Sequence, residues 1–166
     1  MNIVLIGYRG TGKSTVGRLL AARLGRNFVS TDVEIVKHAQ RTISEIVTQE
    51  GWEYFRDLES DICRGLASRN QLVIDTGGGT ILRAQNVEAL KKNSTVFWLT
   101  ASVETIAKRI GGDNQRPSLT GTKSFVDEIQ DVMRERTPKY QAAADHVIAT
   151  DDRSINQLVE TLLTLV

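Results

Sequence analysis

The feature that most constrains the fold is a glycine-rich segment that follows directly on an apolar run near the start of the chain. Residues 3–6 read IVLI and residues 7–15 read GYRGTGKST. The segment fits the pattern G-x-x-x-x-G-K-[ST], which is typical of a phosphate-binding loop between a strand and a helix. Glycine permits close backbone approach, and the amides at a helix start attract an anion. The positions in register with the pattern are Gly7, Gly12, Lys13 and Ser14.

This loop predicts a site for nucleotide phosphates and Mg²⁺. In the pattern, the lysine reaches the β- and γ-phosphates and the hydroxyl residue ligates the metal. Here those residues are Lys13 and Ser14. The remaining residues that we expect to contact the nucleotide phosphates are Gly10, Thr11, Gly12 and Thr15.

Length, charge and cysteine content exclude several classes of protein. The 166 residues, 40% hydrophobic and 25% charged, predict one globular domain with a single core. A formal net charge of +1 predicts no general affinity for nucleic acid or for an anionic membrane. No apolar run approaches the ~20 residues that a membrane span needs. Cys63 is the only cysteine, which excludes an internal disulfide and favours a reducing, cytoplasmic location.

Short apolar runs alternate with helical patterns along the chain, which predicts an α/β fold. Such alternation indicates a parallel sheet with helices on both faces and with ligands at the carboxyl ends of its strands. We therefore expect a three-layer α/β/α architecture around a five-stranded parallel sheet. The predicted strands are Asn2–Ile6, Asn27–Ser30, Gln71–Asp75, Thr95–Leu99 and His146–Ala149.

Helical periodicity is clearest at the two ends of the chain. One apolar face before Gly25 comprises Val16, Leu19, Leu20 and Leu24. The last helix is expected to pack on the sheet through Ile155, Leu158, Val159, Leu162, Leu163 and Val166. Between two other helical patterns, residues 111–124 read GGDNQRPSLTGTKS, which is long and polar for a loop. This segment predicts a lid over the nucleotide, with a plain surface loop as the alternative.

Polar residues and glycines follow two of the predicted strands. Residues 75–79 read DTGGG, and bare backbone at a strand end lets a small polar substrate approach closely. A tight turn is the alternative explanation of these glycines. Asp32 follows the second strand and either faces a ligand or caps a helix that begins at Val33. An isolated arginine is more often a solvated surface charge than a ligand-binding residue. This alternative applies to Arg56, Arg116 and Arg136.

Taken together, six segments resemble the shikimate kinase family, a branch of the phosphate-loop kinases related to nucleoside-monophosphate kinases. The glycine-rich loop alone is widely shared, whereas TGGG joined to FR-x-x-E, RP and R-x-P-x-Y is specific. The resemblance covers nearly the whole chain, in family order and at about family spacing. The segments are GYRGTGKSTVGRLLAARLG, STDVEI, EGWEYFRDLE, TGGG, GGDNQRP and MRERTPKY.

The resemblance implies ATP-dependent phosphorylation of the shikimate 3-hydroxyl, a step of aromatic amino-acid biosynthesis. It implies that Asp32 lies by the shikimate hydroxyls and that Arg56 and Arg136 grip its carboxylate. Gly77, Gly78 and Gly79 would line the substrate. The substrate-binding helices would span about 32–62. Arg116 matches the lid arginine that reaches the transferring phosphate, so Lys13, Asp32 and Arg116 are the expected catalytic residues. Arg109 and Arg153 match positions that flank adenine, and family members are commonly monomers.

The chain departs from the family pattern at the ends of two strands. The family usually has D-x-D after the second strand, with its first aspartate near the Mg²⁺ water shell, and this chain has Ser30-Thr31-Asp32. Asp75 stands where the family more often has a small or hydroxyl residue. Because an apolar run ending in aspartate has the form of a Walker B motif, Asp75 is expected to be an outer-shell partner of Mg²⁺. The alternative is that Asp75 caps the glycine turn.

Two other functions are weighed against this interpretation. A GTPase-like switch requires an N-K-x-D guanine motif, which the sequence lacks. A small kinase for another acceptor, such as gluconate or a nucleoside monophosphate, would use the same arginines for a different anion. The sequence leaves open whether Trp52 contacts substrate or only packs, and it assigns no role to His38 or His146.

Overall fold

The computed structural model of the chain describes residues 1–111 and 124–166. Its strands form one parallel sheet in the order β2-β3-β1-β4-β5. They are β1 Asn2–Ile6, β2 Asn27–Ser30, β3 Leu72–Asp75, β4 Ser94–Thr100 and β5 His146–Ala149.

Eight α-helices in the described ranges connect and cover these strands, and a short 3₁₀ turn, Thr80–Leu82, follows β3. The helices are α1 Lys13–Leu24, α2 Thr31–Ala39, α3 Ile43–Glu50, α4 Trp52–Ala67, α5 Ala84–Lys91, α6 Val103–Ile110, α7 Phe125–Ala143 and α8 Ile155–Leu163.

The burial of each strand follows from its place in the sheet. Every residue of β1 and β3 is buried, whereas the edge strands β2 and β5 are partly exposed. A parallel sheet that is covered on both faces produces this difference, because its inner strands contact helices above and below. Because β3 and β1 are adjacent and parallel, their carboxyl ends lie side by side in the middle of the sheet.

Two apolar clusters lie on opposite faces of the sheet. On one face, α1 and α8 pack against β1, β4 and β5 through Leu20, Val159 and Leu162 among others. On the other face, α4, α5 and α7 cover the sheet, with Tyr140 stacked on Trp98 at 5.5 Å between ring centroids. The predicted three-layer α/β/α architecture with a five-stranded parallel sheet is confirmed.

The helices α2, α3 and α4 form a subdomain between β2 and β3. Its small core joins one buried residue from each helix, namely Ile35, Ile46 and Phe55. This separate core holds the amino-terminal half of α4 beside the carboxyl ends of the strands. The side chains on that half of the helix therefore have fixed positions relative to the loop after β1.

The predicted elements differ from the structure in a few places. Gln71 lies outside β3 because its φ of 60° is left-handed, and β4 extends one residue beyond its predicted bounds at each end. Ile155 and Val166 are exposed, whereas the other residues of the predicted α8 stripe are buried or partly buried. Residues 112–123, which carry Arg116 and most of the expected lid, lie outside the described residues. Within the described ranges, no helix has both the length and the apolar character that a membrane crossing requires.

Candidate active site

Three pockets adjoin one another at the carboxyl ends of the strands, where a doubly wound sheet binds its ligands. We name them by their defining groups. The loop pocket surrounds Lys13 and Ser14, the arginine pocket contains Arg56 and Arg136, and the outer pocket contains Arg109 and Arg153.

The loop pocket is formed where the glycine-rich segment passes into α1. The N-cap residue, Gly12, has left-handed φ of 92° and no side chain to bond the first helical amides, and the first turn holds no acidic residue. Such a helix start is open to an anion. The Lys13 ammonium donates to the carbonyls of Gly7 at 2.9 Å and Tyr8 at 3.0 Å, which holds its charge inside the loop. This arrangement fits the phosphates of a nucleotide.

The Ser14 hydroxyl connects the loop to the end of β3. It donates a hydrogen bond of 2.5 Å to Oδ2 of Asp75, and both residues line the loop pocket. Burial raises the pKa of the Asp75 carboxyl, while the charge of Lys13 and the bond from Ser14 partly oppose that shift. In the described ranges, no group of three or more His, Cys, Asp or Glu residues could hold a metal ion. A metal at Ser14 would therefore rely on phosphate and water for most of its ligands, as Mg²⁺ usually does.

The arginine pocket contains two buried guanidinium groups. Arg56 is 8% exposed and Arg136 is 7% exposed. Arg56 donates to Oε2 of Glu59 at 2.8 Å, and Glu59, which is 0% exposed, also accepts a bond of 2.6 Å from the Thr80 hydroxyl. Because Glu59 is held by Thr80 on one oxygen, its other oxygen fixes the position of the Arg56 fork.

Arg136 is positioned by its own helix. Tyr140 lies one turn further along α7 and donates a hydrogen bond to the carbonyl of Gly78. Burial raises the pKa of the Tyr140 phenol to about 12, with the nearby Arg136 and Arg56 opposing the shift, so the phenol stays neutral. The Tyr140 hydroxyl therefore ties the part of α7 that carries Arg136 to the glycine segment.

The glycine segment at residues 77–79 passes close to the charged groups. A β-carbon on Gly77 would lie 2.9 Å from both Oδ1 of Asp32 and Oε1 of Glu59, and one on Gly79 would overlap the Arg56 guanidinium. The close approach explains why residues without side chains occupy these positions. It also shows that Asp32, Arg56 and Glu59 converge on a single small space.

Asp32 and Arg9 line both the arginine pocket and the loop pocket. The helix α2 begins at Thr31 with Ser30 as its N-cap, so the alternative that Asp32 caps a helix starting at Val33 is wrong. The Thr31 hydroxyl instead accepts a bond of 2.9 Å from the Gly77 amide, which ties α2 to the glycine segment. A group bound in the arginine pocket would meet the phosphates at Asp32.

The outer pocket lies on the other side of the glycine-rich loop. Arg109 donates to the carbonyl of Gly10 at 3.1 Å and to Thr150, which joins the end of α6 to the loop and to the segment after β5. Arg153 and Ile155 complete the wall, together with Thr11. The two arginines and the apolar side chains form a surface suited to a flat aromatic base.

Comparison with known proteins identifies the family. The family model described as shikimate kinase matches residues 9–166. A shikimate kinase of Nitratidesulfovibrio vulgaris is 47% identical over 152 residues, which cover 90% of this chain and 86% of that protein. One of Syntrophus aciditrophicus is 41% identical over 173 residues, covering 98% and 89%. A structure of shikimate kinase from Acinetobacter baumannii in complex with shikimate is 38% identical, with a TM-score of 0.94 over 99% of this chain and 91% of that one.

This chain belongs to the shikimate kinase family. Of the site residues expected from the family motifs, the structure places Asp32, Arg56, Arg136 and Gly77–Gly79 around the arginine pocket. It places Gly10, Gly12, Lys13, Ser14, Thr15 and Asp75 around the loop pocket, and Thr11, Arg109 and Arg153 around the outer pocket. Arg116, the expected lid arginine of the family, is outside the described residues.

Several residues at the site were not singled out from the sequence. Glu59 is the last residue of the FR-x-x-E motif that contributed to the shikimate kinase resemblance, yet its place between Arg56 and Thr80 depends on a segment 21 residues away. The same holds for Tyr140, the tyrosine of R-x-P-x-Y. Tyr8 lines the arginine pocket, and its hydroxyl is buried with no hydrogen-bond partner among the described residues. Trp52, for which the sequence left substrate contact or packing open, also lines this pocket, with the Arg56 guanidinium 5.4 Å from its ring centroid.

Proposed function

We propose that the chain transfers the γ-phosphoryl group of ATP to the 3-hydroxyl of shikimate, giving ADP and 3-phosphoshikimate. The observation that carries this proposal is the shared wall at Asp32, where a pocket with two buried arginines opens onto the phosphate-binding loop. Membership of the shikimate kinase family supports it independently. The protein is an ATP- and Mg²⁺-dependent enzyme of aromatic amino-acid biosynthesis.

In this proposal, Arg56 and Arg136 bind the carboxylate of the acceptor. A guanidinium matches a carboxylate with two parallel N–H donors, which a lysine cannot do. Glu59 neutralises part of the charge of Arg56, so the pair of arginines suits one carboxylate rather than a more highly charged phosphate. The Tyr8 hydroxyl and the backbone of Gly77–Gly79 supply further hydrogen-bonding groups for the ring hydroxyls.

Asp32 orients the hydroxyl that is phosphorylated and accepts its proton. Phosphoryl transfer passes through a loose transition state, so positioning and charge stabilisation account for most of the catalysis. Lys13 places a positive charge at the phosphates, and Ser14 provides a hydroxyl oxygen for Mg²⁺. When bound, Mg²⁺ would offset negative charge on the phosphates.

The remaining assignments rest on the sequence resemblance. Arg116 stabilises the transferring phosphoryl group from a lid over about 111–124, and Arg109 and Arg153 flank the adenine. We treat residues 1–166 as one kinase domain whose substrate-binding helices span about 32–62. We propose that the enzyme acts as a monomer in the cytoplasm and has no nucleic-acid or membrane partner.

Product identification tests the proposed reaction. The enzyme is incubated with ATP, MgCl₂ and shikimate, and ³¹P NMR follows the phosphorus resonances. A new phosphate-monoester signal that couples to the proton at carbon 3, formed in equal amount to ADP, is the expected result. Replacing ATP by GTP should lower the rate, because the sequence lacks the N-K-x-D guanine motif. ADP formation without a phosphate ester would show ATP hydrolysis and contradict the proposal.

A further inference from the structure

Ser30 and Asp75 occupy equivalent positions on two adjacent strands. They are register partners in the parallel pairing of β2 with β3, and both lie at the carboxyl ends of those strands. Both also line the loop pocket, together with Lys13 and Ser14. A carboxylate at either position would therefore face the same phosphate-binding space, displaced by the width of one strand, about 4.8 Å.

The carboxyl group of Asp75 is buried, which is energetically unfavourable for a charged group. Asp75 is only 5% exposed, and burial disfavours the charged form of its carboxyl group. The glycine turn does not account for it, since the Thr76 amide donates to the carbonyl of Leu5 and the Gly77 amide donates to Thr31. Its hydrogen bond instead goes to Ser14, the hydroxyl of the phosphate-binding loop.

That bond determines how the Ser14 hydroxyl can act. A hydroxyl has one proton and two lone pairs, so a hydroxyl that donates its proton to Asp75 presents lone pairs elsewhere. Ser14 itself lines the loop pocket. Ser14 is thereby prepared as a neutral oxygen ligand whose proton is held by the Asp75 carboxyl.

We propose that Asp75 is the carboxylate of the Mg²⁺ site, orienting Ser14 as a metal ligand and accepting hydrogen bonds from metal-bound water. Asp32 also lines the loop pocket, but it faces the arginine pocket as well and is assigned to the acceptor hydroxyl. Ser30 carries no charge, so Asp75 supplies the carboxylate from the neighbouring strand. The inference rests on the proposed function to the extent that the metal accompanies a nucleotide.

Metal binding in the absence of acceptor tests this role. Mn²⁺ replaces Mg²⁺, and electron paramagnetic resonance measures free Mn²⁺ during titration of the enzyme saturated with ADP. Loss of a group that orients metal ligands typically weakens metal binding about 10–100-fold, which is the decrease we expect for Asp75→Asn. Asp61→Asn, an exposed carboxyl on α4, is the matched control and should leave Mn²⁺ affinity unchanged.

Two further measurements separate a metal role from a structural one. ADP binding in EDTA should be within about twofold of wild type for Asp75→Asn, because the phosphate-binding loop remains intact. The exchange variant Ser30→Asp with Asp75→Ser should recover most of the lost Mn²⁺ affinity, because it restores a carboxylate one strand away. An Asp75→Asn enzyme with wild-type Mn²⁺ affinity would overturn the proposal.

A structure of the wild-type enzyme with ADP and Mg²⁺ gives an answer that does not depend on how the variants fold. We expect a metal-bound water to bridge the ion and a carboxylate oxygen of Asp75. An Asp75 too distant for a single bridging water would overturn the proposal. None of these metal-binding measurements uses shikimate, so they test the role of Asp75 independently of the acceptor. A failure to phosphorylate shikimate would contradict the proposed function, and the Mn²⁺ result would still decide the role of Asp75.

Discussion

The Arg56 guanidinium lies against the backbone of Gly79, in the space that a β-carbon on Gly79 would occupy. The guanidinium has little freedom to move aside, because Glu59 accepts its hydrogen bond and is itself held by Thr80. Glycine at position 79 is therefore part of the mechanism that positions Arg56. A substitution there is expected to act on acceptor binding rather than on the nucleotide.

Gly79→Ala should raise the KM for shikimate about tenfold or more and change the KM for ATP by less than about threefold. Forcing a methyl group into a packed site costs roughly 1–3 kcal/mol, and each 1.4 kcal/mol is a factor of ten in affinity. Gly65→Ala is the matched control, because a β-carbon at Gly65 on α4 meets no atom within 4 Å. Steady-state kinetics with each substrate varied gives the comparison. Equal increases in both KM values would argue against a specific effect through Arg56.

Arg136→Lys should raise the KM for shikimate by about 10–100-fold while the KM for ATP changes little. Lysine keeps the charge but loses the fork, and a charge-assisted hydrogen bond is worth roughly 1.5–3 kcal/mol. Arg134→Lys on the same helix serves as the control, since that side chain is 73% exposed and forms a surface ion pair with Asp131. The carboxylate assignment fails if the two variants behave alike or if ATP binding suffers as much as shikimate binding.

Intrinsic fluorescence should report acceptor binding through Trp52. The protein has two tryptophans, of which Trp52 lines the arginine pocket and Trp98 is stacked on Tyr140 within the core. Shikimate should change the emission of the wild-type protein with saturation at its Kd, and ADP alone should have little effect. In Trp52→Phe the change should disappear while catalysis remains within about tenfold of wild type. A signal that persists in Trp52→Phe would place the reporter at Trp98 instead.

The thiol of Cys63 should be inert in the folded enzyme. It is buried on α4, and burial raises its pKa, with the neighbouring Glu59 adding to the shift. At pH 9 a thiol in an unfolded chain is mostly thiolate, whereas the folded enzyme keeps its thiol protonated. Alkylation by iodoacetamide should therefore be at least about a thousandfold slower than in urea-unfolded protein, as monitored by mass spectrometry. Rapid labelling of the native enzyme would contradict the burial of Cys63.

The sequence predicted the sheet well because the strands are short apolar runs with clear ends. The bounds of β1, β2 and β5 were predicted without error, and Gly25 ends α1 in the left-handed conformation that glycine favours. Gln71 was misassigned because a left-handed φ at a non-glycine residue has no signal in the apolar pattern. Ile155 was misassigned because helical periodicity identifies a face but not how far the sheet extends beneath it.

The site was predicted from motifs at the residues that contact ligands, and less well at the residues that hold them. Lys13, Arg56 and Arg136 belong to recognisable patterns. Glu59 and Tyr140 are held by hydrogen bonds to Thr80 and to the Gly78 carbonyl. These partners are distant in sequence and come together only when the chain folds. The helix-capping alternative for Asp32 was wrong because α2 begins one residue before it, at Thr31. The structure also brings Ser30 and Asp75 into register, which the sequence does not show.

Acceptor-dependent release of ADP is the measurement that tests shikimate phosphorylation most directly. A coupled assay compares shikimate, gluconate and AMP at equal concentration with saturating ATP and MgCl₂. We predict turnover with shikimate on the order of 10 s⁻¹ and rates at least about a hundredfold lower with the other two, because only shikimate presents a carboxylate on a ring of hydroxyls. Folded enzyme that releases ADP faster with gluconate or AMP, or that shows no dependence on shikimate, would contradict the assignment.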